Sequence, residues 1–217
     1  MSRGDDNGGR FWTPPQMWSG ETVFIVGGGP SLRGVDLYPM LKARRTIGVN
    51  YSAIFNPWME VCWFGDCRWF DWNVDKLKDW PGLRVTCCER LHVVPWIRVM
   101  KRSKKGKGIE TEPGRVCWNW NSAGSAINFA FHLGSRRIVL LGIDLKRDEQ
   151  NNTHFHDEYA KVNPRQVSIE YTYKRFIEGF NQIAKDAEQL GVEIINGNPD
   201  SRLEAFPRVP LAEAVAL

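Results

Sequence analysis

A strand-forming run that breaks into three consecutive glycines constrains this chain more than any other stretch: Thr22-Val-Phe-Ile-Val-Gly-Gly-Gly-Pro-Ser-Leu32. Residues 23–26 are apolar and mostly β-branched, the composition of a short buried strand. Gly27, Gly28 and Gly29 end it at once, and Pro30 and Ser31 lead towards an apolar-periodic segment. A buried strand that runs through glycines towards a helix presents backbone N–H groups to an anion. The spacing matches neither standard phosphate loop. No Lys-Ser/Thr follows the glycines, and no third glycine falls where a dinucleotide fold needs it.

The same unit recurs along the chain. After the glycines, Val35, Leu37, Met40 and Leu41 suit a short helix, and Thr46-Ile-Gly-Val-Asn50 reads as a second strand with Asn50 at its carboxyl end. Val61-Cys-Trp-Phe-Gly65 is a third strand with Asp66 just beyond it. A helix follows over 69–80, and a fourth short strand over 83–87. Further on, 122–133 reads as a helix capped by Asn121 or Ser122 and closed by Gly134. Arg137-Ile-Val-Leu-Leu-Gly-Ile-Asp144 is a second strongly buried strand. Tyr173, Phe176, Phe180, Ile183, Ala187 and Leu190 then step by three and four along a long helix, which Gly191 ends. A last strand over 192–196 leads into a turn at Gly197-Asn-Pro-Asp-Ser201. Strands alternating with helices predict an α/β fold: a Rossmann-like, mostly parallel sheet with helices on both faces, in a single domain. The expected boundaries are a flexible N-terminal arm over 1–20 and a nucleotide-binding α/β domain over 21–217. Trp12 and Trp18 would pack the second half of the arm onto the body or onto another copy, as in a homo-oligomer.

In open α/β sheets, ligands bind outside the carboxyl ends of the strands. Those ends carry Gly27, Gly28, Gly29 and Ser31, then Asn50, Asp66, Asp144, and Asn196 with Ser201. Past Asp144 comes Thr153-His-Phe-His-Asp157. His154 and His156 are two apart, so on an extended segment they face one side. Two imidazoles near Asp144 and Asp157 suit either a general base oriented by a carboxylate or a divalent ion such as Mg²⁺ or Mn²⁺. Of the ten tryptophans, Trp63, Trp69 and Trp72 lie near Asp66 and would offer a stacking wall for a sugar or a base, while core packing accounts for most of the others.

Residues 88–120 break the pattern. Arg98, Lys101, Arg102, Lys104, Lys105 and Lys107 form a basic loop over 98–108, interleaved with Gly and Ser. It reads either as a solvated mobile loop or as an arm for an anionic substrate or a nucleic-acid backbone. The formal charge of +4 permits an anionic ligand without requiring nucleic acid. Five irregularly placed cysteines suit free thiols in a reducing compartment better than a disulfide framework. The first twenty residues lack the apolar core of a signal peptide, and no apolar run reaches membrane-spanning length, so a cytoplasmic location is expected.

The series Val-Gly-Gly-Gly-Pro-Ser-Leu, Gly-Val-Asn50, Leu-Gly-Ile-Asp144 and Asn-x-x-x-x-Ser201 resembles a family common in tailed-phage and bacterial genomes. Its members are usually described as similar to the archaeal-type 6-hydroxymethylpterin diphosphokinase. A phage origin would place the protein in the host cytoplasm. The same series is similar to the small single-domain bacterial sialyltransferases, in which a Gly-Asn-Gly-Pro-Ser-Leu loop and a later Asn hold the cytidine nucleotide. The likeness runs from Val23 to about Phe206. It implies a small-molecule nucleotide or nucleotide-sugar donor contacted by Gly28, Gly29, Ser31 and Asn50, with Ser122 and Gly124 lining the same pocket. This chain departs from the sialyltransferases at Gly28, where they carry Asn. Their catalytic histidine also lies farther beyond Gly-Ile-Asp than His154 or His156 does.

Three functions fit these residues. The leading one is group transfer from an activated nucleotide to a hydroxyl acceptor, most simply glycosyl transfer with His154, His156 or Asp144 in the proton step. The second is Mg²⁺-dependent pyrophosphoryl transfer from ATP. The third is a non-catalytic nucleotide- or nucleic-acid-binding phage accessory protein.

Overall fold

A computed structural model describes residues 5–6, 10–162 and 169–217 of the chain. In chain order, β1 (Asp5–Asp6) and β2 (Phe11–Trp12) pair antiparallel. Then come β3 (Thr22–Val26), α1 (Tyr38–Leu41), β4 (Arg45–Val49), α2 (Tyr51–Phe55), β5 (Val61–Phe64), α3 (Cys67–Lys78), β6 (Leu83–Thr86) and β7 (Arg98–Val99). A small parallel pair, β8 (Lys101–Arg102) and β9 (Arg115–Val116), precedes α4 (Ser122–His132), β10 (Arg137–Leu141), α5 (Glu158–Val162), α6 (Ile169–Leu190), β11 (Glu193–Asn196) and α7 (Leu211–Ala214). Of the arm expected over 1–20, residues 1–4 and 7–9 lie outside the described residues. Trp18 is buried in the core, and its backbone N–H donates to Leu133 O at 2.8 Å.

Seven strands form one parallel sheet in the order β11-β10-β3-β4-β5-β6-β7. The chain winds outward from β3 to β7, then returns to lay β10 against the other side of β3. The order therefore reverses between β3 and β10. At such a switch point the connections after two neighbouring strands leave towards opposite faces, and a crevice opens above the strand ends. Side-chain alternation along the strands builds both faces. Val23 and Ile25 of β3 join Ile138 and Leu140 of β10 in one apolar layer with α4 and α6. Phe24 and Val26 join Val139 and Leu141 in the other, under α1 to α3. Both faces are covered, so these strands are apolar throughout, as parallel strands must be.

The glycines after β3 meet a different requirement from the one expected. None of Gly27, Gly28 and Gly29 has a positive φ. They are needed for space. A Cβ on Gly27 would strike Ile143 Cδ1 and come within 2.7 Å of Gly142 O, and one on Gly29 would lie 2.5 Å from Asp144 Oδ2. The turn that does need a left-handed residue is Gly142, at φ 65° after β10.

Residues 88–120 are also more ordered than a solvated loop. β7 extends the main sheet, and Arg102 donates to Gly65 O at 2.6 Å and Cys87 O at 2.9 Å. Lys105 pairs with Asp186 and Lys107 with Glu178, each at 2.7 Å. Arg102, Lys105 and Lys107, half of the six expected loop cations, are thus spent within the chain. The expectation of free thiols is corrected for one pair: Cys67 and Cys88 are bonded, their Cα atoms 5.5 Å apart. The carboxyl ends of neighbouring strands β5 and β6 bring them together, a proximity their spacing in sequence conceals. Cys62, Cys87 and Cys117 are free and buried. No helix among the described residues is long and apolar enough to cross a membrane.

Gly27→Ala should lower stability by about 1–3 kcal/mol, because one methyl group overpacks the β3–β10 junction. Thermal unfolding of the variant checks this; an unchanged midpoint would show that the junction has room to spare.

Candidate functional site

The crevice at the switch point is a cleft of about 410 Å³. Its polar end holds Gly27, Gly28, Gly29, Asn50 and Asp144 with both histidines, and its other end is rich in tryptophan. Asp66 and Ser122 also line it. Ser31 and Gly124, expected as ligand contacts, do not. Gly124 N–H is taken by the capping Asn121 Oδ1 at 2.5 Å, and Ser31 faces Asp144.

Asp144 clamps the glycine loop. Its carboxylate accepts from Ser31 N at 2.8 Å, Ser31 Oγ at 2.7 Å and Asn198 Nδ2 at 2.7 Å. These bonds tie the connections after β3 and β11 to the end of β10. Ser201 Oγ and Asn196 Nδ2 reinforce the corner by donating to Ile143 O. Asp144, expected as a catalytic carboxylate, holds the ends of three strands together. Its oxygens are committed, and among the described residues no three His, Cys, Asp or Glu side chains converge to hold a metal ion.

The loop amides are largely committed too. Gly27 N donates to Leu141 O and Gly29 N to Gly142 O, both at 2.8 Å. Of the amides at 27, 28, 29 and 31, Gly28 N–H alone has no partner among the described residues. A cradle of several amides is therefore corrected to one free donor, because the tight fit against β10 uses the others.

The His154–His156 segment packs against Gly28. Phe155 N donates to Gly28 O at 2.9 Å, and Arg33 donates to His154 O at 2.9 Å. A Cβ on Gly28 would lie 2.8 Å from His154 Cδ2 and 3.5 Å from His156 Nε2, so glycine there admits the imidazoles. The two rings are 5.3 Å apart. Burial, and then the neighbouring His156, hold His154 down to about 3; burial holds His156 down to about 4. Both are neutral near pH 7. Glu158 N–H donates to His156 Nδ1 at 3.3 Å, so the ring proton of neutral His156 sits on Nε2. That Nε2–H is buried and has no partner among the described residues. His156 is therefore a neutral donor. Neither imidazole is a strong base in the free protein, and an anion placed beside them would raise their proton affinity.

Two features of the cleft were not legible as site residues. Tyr159, whose hydroxyl accepts from Asn50 Nδ2 at 2.8 Å, packs 4.6 Å from His154, and burial keeps its phenol above the usual range. Asn50 Oδ1 is left buried without a partner. Trp118 and Trp120 form much of the aromatic end, whereas Trp63, expected there, is core: it donates to Ser125 Oγ at 2.9 Å and stacks on Phe129. Trp69 and Trp72 do line the cleft. Asn50 (φ 56°), Asn119 (φ 53°), Trp120 (φ 53°) and Leu145 (φ 49°) are four of the five non-glycine residues with positive φ among those described. All four lie at or beside the cleft. Such conformations cost about 1–3 kcal/mol each and persist where the surroundings enforce them, commonly at ligand sites. The sequence signal that points to two of them is the alternation Trp118-Asn119-Trp120-Asn121, in which small amides separate indoles.

No protein-family model matches the chain, and neither does any curated protein. Among solved structures, the sialyltransferase CstII from Campylobacter jejuni, in complex with a substrate analogue, cytidine-5'-monophosphate, has a similar fold. The match covers 88% of this chain and 85% of that one, with a TM-score of 0.54 and 12% sequence identity. At that identity the likeness is one of fold: a single Rossmann-like α/β domain.

Folded histidines near 3 and 4 bind their protons well below the value of about 6.5 expected when unfolded. As pH falls the unfolded chain takes up those protons first, so stability is complete above about pH 6.5 and declines below it. A His154→Gln/His156→Gln double variant should lose less stability than the native chain between pH 7 and pH 5, as read from unfolding midpoints. Parallel profiles would place the imidazoles in water.

Proposed function

We propose that the protein is a glycosyltransferase that binds a nucleotide-sugar at the polar end of the cleft and passes the sugar to a hydroxyl acceptor. One observation carries this reading: two donors without a partner among the described residues, Gly28 N–H and His156 Nε2–H, belong to residues that meet at the switch point of the sheet, where a Cβ on Gly28 would lie 3.5 Å from His156 Nε2. Glycosyl transfer expels an anionic phosphate, and donors fixed in a dry site stabilise such an anion better than water does. The likeness in fold to a sialyltransferase solved with cytidine-5'-monophosphate supports a nucleotide ligand.

In this reading Gly27, Gly28, Gly29, Asn50, Asp66 and Ser122 contact the nucleotide donor, and Asp144 holds the loop in place. Asn50 offers its free Oδ1 to a ribose or base donor. His156 donates to the leaving phosphate. His154, whose proton affinity rises once that anion lies beside it, takes the proton of the acceptor hydroxyl. Pyrophosphoryl transfer from ATP gains no specific support, because Asp144 is committed and, among the described residues, no acidic cluster gathers beside the glycine loop.

A thermal-shift panel of CMP, UDP, GDP, ADP and ATP, with and without Mg²⁺ or Mn²⁺, tests the ligand. A nucleotide at a hundredfold excess over Kd should stabilise the chain by about 2.7 kcal/mol. With the matching nucleotide-sugar as donor, His156→Ala should cut turnover about 10²–10³-fold while the unfolding midpoint stays near that of the native chain. A shift confined to ATP with metal would favour the diphosphokinase chemistry instead, and a flat panel would remove the nucleotide site altogether.

A further inference from the structure

Away from the glycine loop, the wall of the cleft changes character. Trp72, Trp118 and Trp120 line it, and Trp72 is 37% exposed on the surface of α3. Large apolar rings left open in a cleft, when a dry core was available to them, mark a surface that another molecule covers.

The rings are also held in place from behind. Arg102 lies 4.5 Å over Trp118; Lys107 and Arg175 lie 4.6 Å and 5.4 Å over Trp120. None of these three cations lines the cleft. Gly65 is glycine because a Cβ there would run into the Trp118 ring. Between the two indoles, Asn119 keeps its left-handed backbone by tying its amide to Gly108 and Cys117: Oδ1 accepts from Gly108 N at 2.7 Å, and Nδ2 donates to Gly108 O at 3.0 Å and Cys117 O at 3.2 Å. The turn thus holds two aromatic plates at the mouth of the cleft.

We infer that this wall is the acceptor subsite and that its ligand is a pyranoside sugar stacked on Trp72, Trp118 and Trp120. The acceptor role rests on the glycosyl-transfer reading; the binding of a sugar does not. A pyranose ring turns a face of C–H bonds towards an aromatic plate, and their slight positive charge meets the negative face of the ring. A nucleobase also stacks, but it is read by hydrogen-bonding groups at its edge. Among the described residues next to Trp118 and Trp120 in sequence, the polar side chains mostly serve their own backbone. The Asn119 amide is spent on Gly108 and Cys117. Asn121 accepts from Gly124 N and donates to Asn119 O, and Ser122 Oγ accepts from Gly65 N. Arg68, an exposed side chain that also lines the cleft, suits the outlying hydroxyls of a sugar.

The probes are methyl α- and β-pyranosides of glucose, galactose and N-acetylglucosamine, titrated into the full chain with and without the nucleotide that the thermal-shift panel identifies. Saturation-transfer NMR should show contact through the ring C–H protons of at least one glycoside. Trp72→Ala and Trp118→Ala should each weaken that glycoside at least tenfold while nucleotide affinity changes less than twofold, and Trp118→Phe should recover part of the loss. Trp72 is exposed, so its variant keeps the test valid if Trp118→Ala fails to fold. The inference is overturned if no glycoside binds, if neither alanine variant weakens it, or if the nucleotide is what the variants lose. Sugar binding to a chain that takes up no nucleotide would uphold the subsite and reject the transferase reading instead.

Discussion

The carboxylate of Asp144 is the contact on which the working end of this molecule depends. It gathers Ser31 and Asn198, residues that arrive on the connections after β3 and β11, onto the end of β10. It adds side-chain bonds to the backbone bonds above the ladders, such as Gly29 N to Gly142 O, that also hold these loops. Asp144 is 2% exposed, and three donors meet its oxygens, as a buried polar group requires.

The glycine loop then takes its shape from what it must fit between. On one side stand Gly142 O and Ile143, on the other His154 and His156, and only hydrogen atoms leave room for both. The fit consumes the loop's amides one after another until Gly28 N–H is left. The imidazoles that press on the loop are dried by the same closeness, and drying is what holds them neutral. Packing, hydrogen bonding and proton affinity at this site are therefore one constraint seen three ways. Enlarging any glycine would disturb all three.

Much of the scaffold was legible because its signals are local. Apolar runs bounded by glycine placed β3, β4, β5, β6, β10 and β11, and the step of three and four placed α6 from Ile169. The glycine loop was legible as a break after a buried strand, but its physical reason was not: a sequence shows that a residue lacks a side chain, not whether torsion or crowding demands it. The same limit applied to Asp144, where a carboxylate at a strand end looks alike whether it clamps or catalyses. Residues 88–120 stayed opaque because their order comes from distant partners, such as Lys105 on Asp186 and Arg102 on Gly65. Trp118, Trp120 and the Cys67–Cys88 bond were hidden for that reason, since each acquires its role from a neighbour that the fold supplies and the spacing does not announce.

The switch in strand order has a consequence for how the protein is made. Synthesis delivers β3 to β7 well before β10, so the first five strands of the sheet can pair while one edge of β3 is still bare. That edge belongs to a strand whose residues 23–26 are wholly buried in the finished molecule, and an unpaired apolar edge is a template for adhesion between chains. A chain halted on the ribosome before Arg137 would hold its glycine loop against nothing, with neither Gly142 nor Asp144 to close it. The ligand cleft and the colloidal safety of the nascent chain thus wait on the same strand.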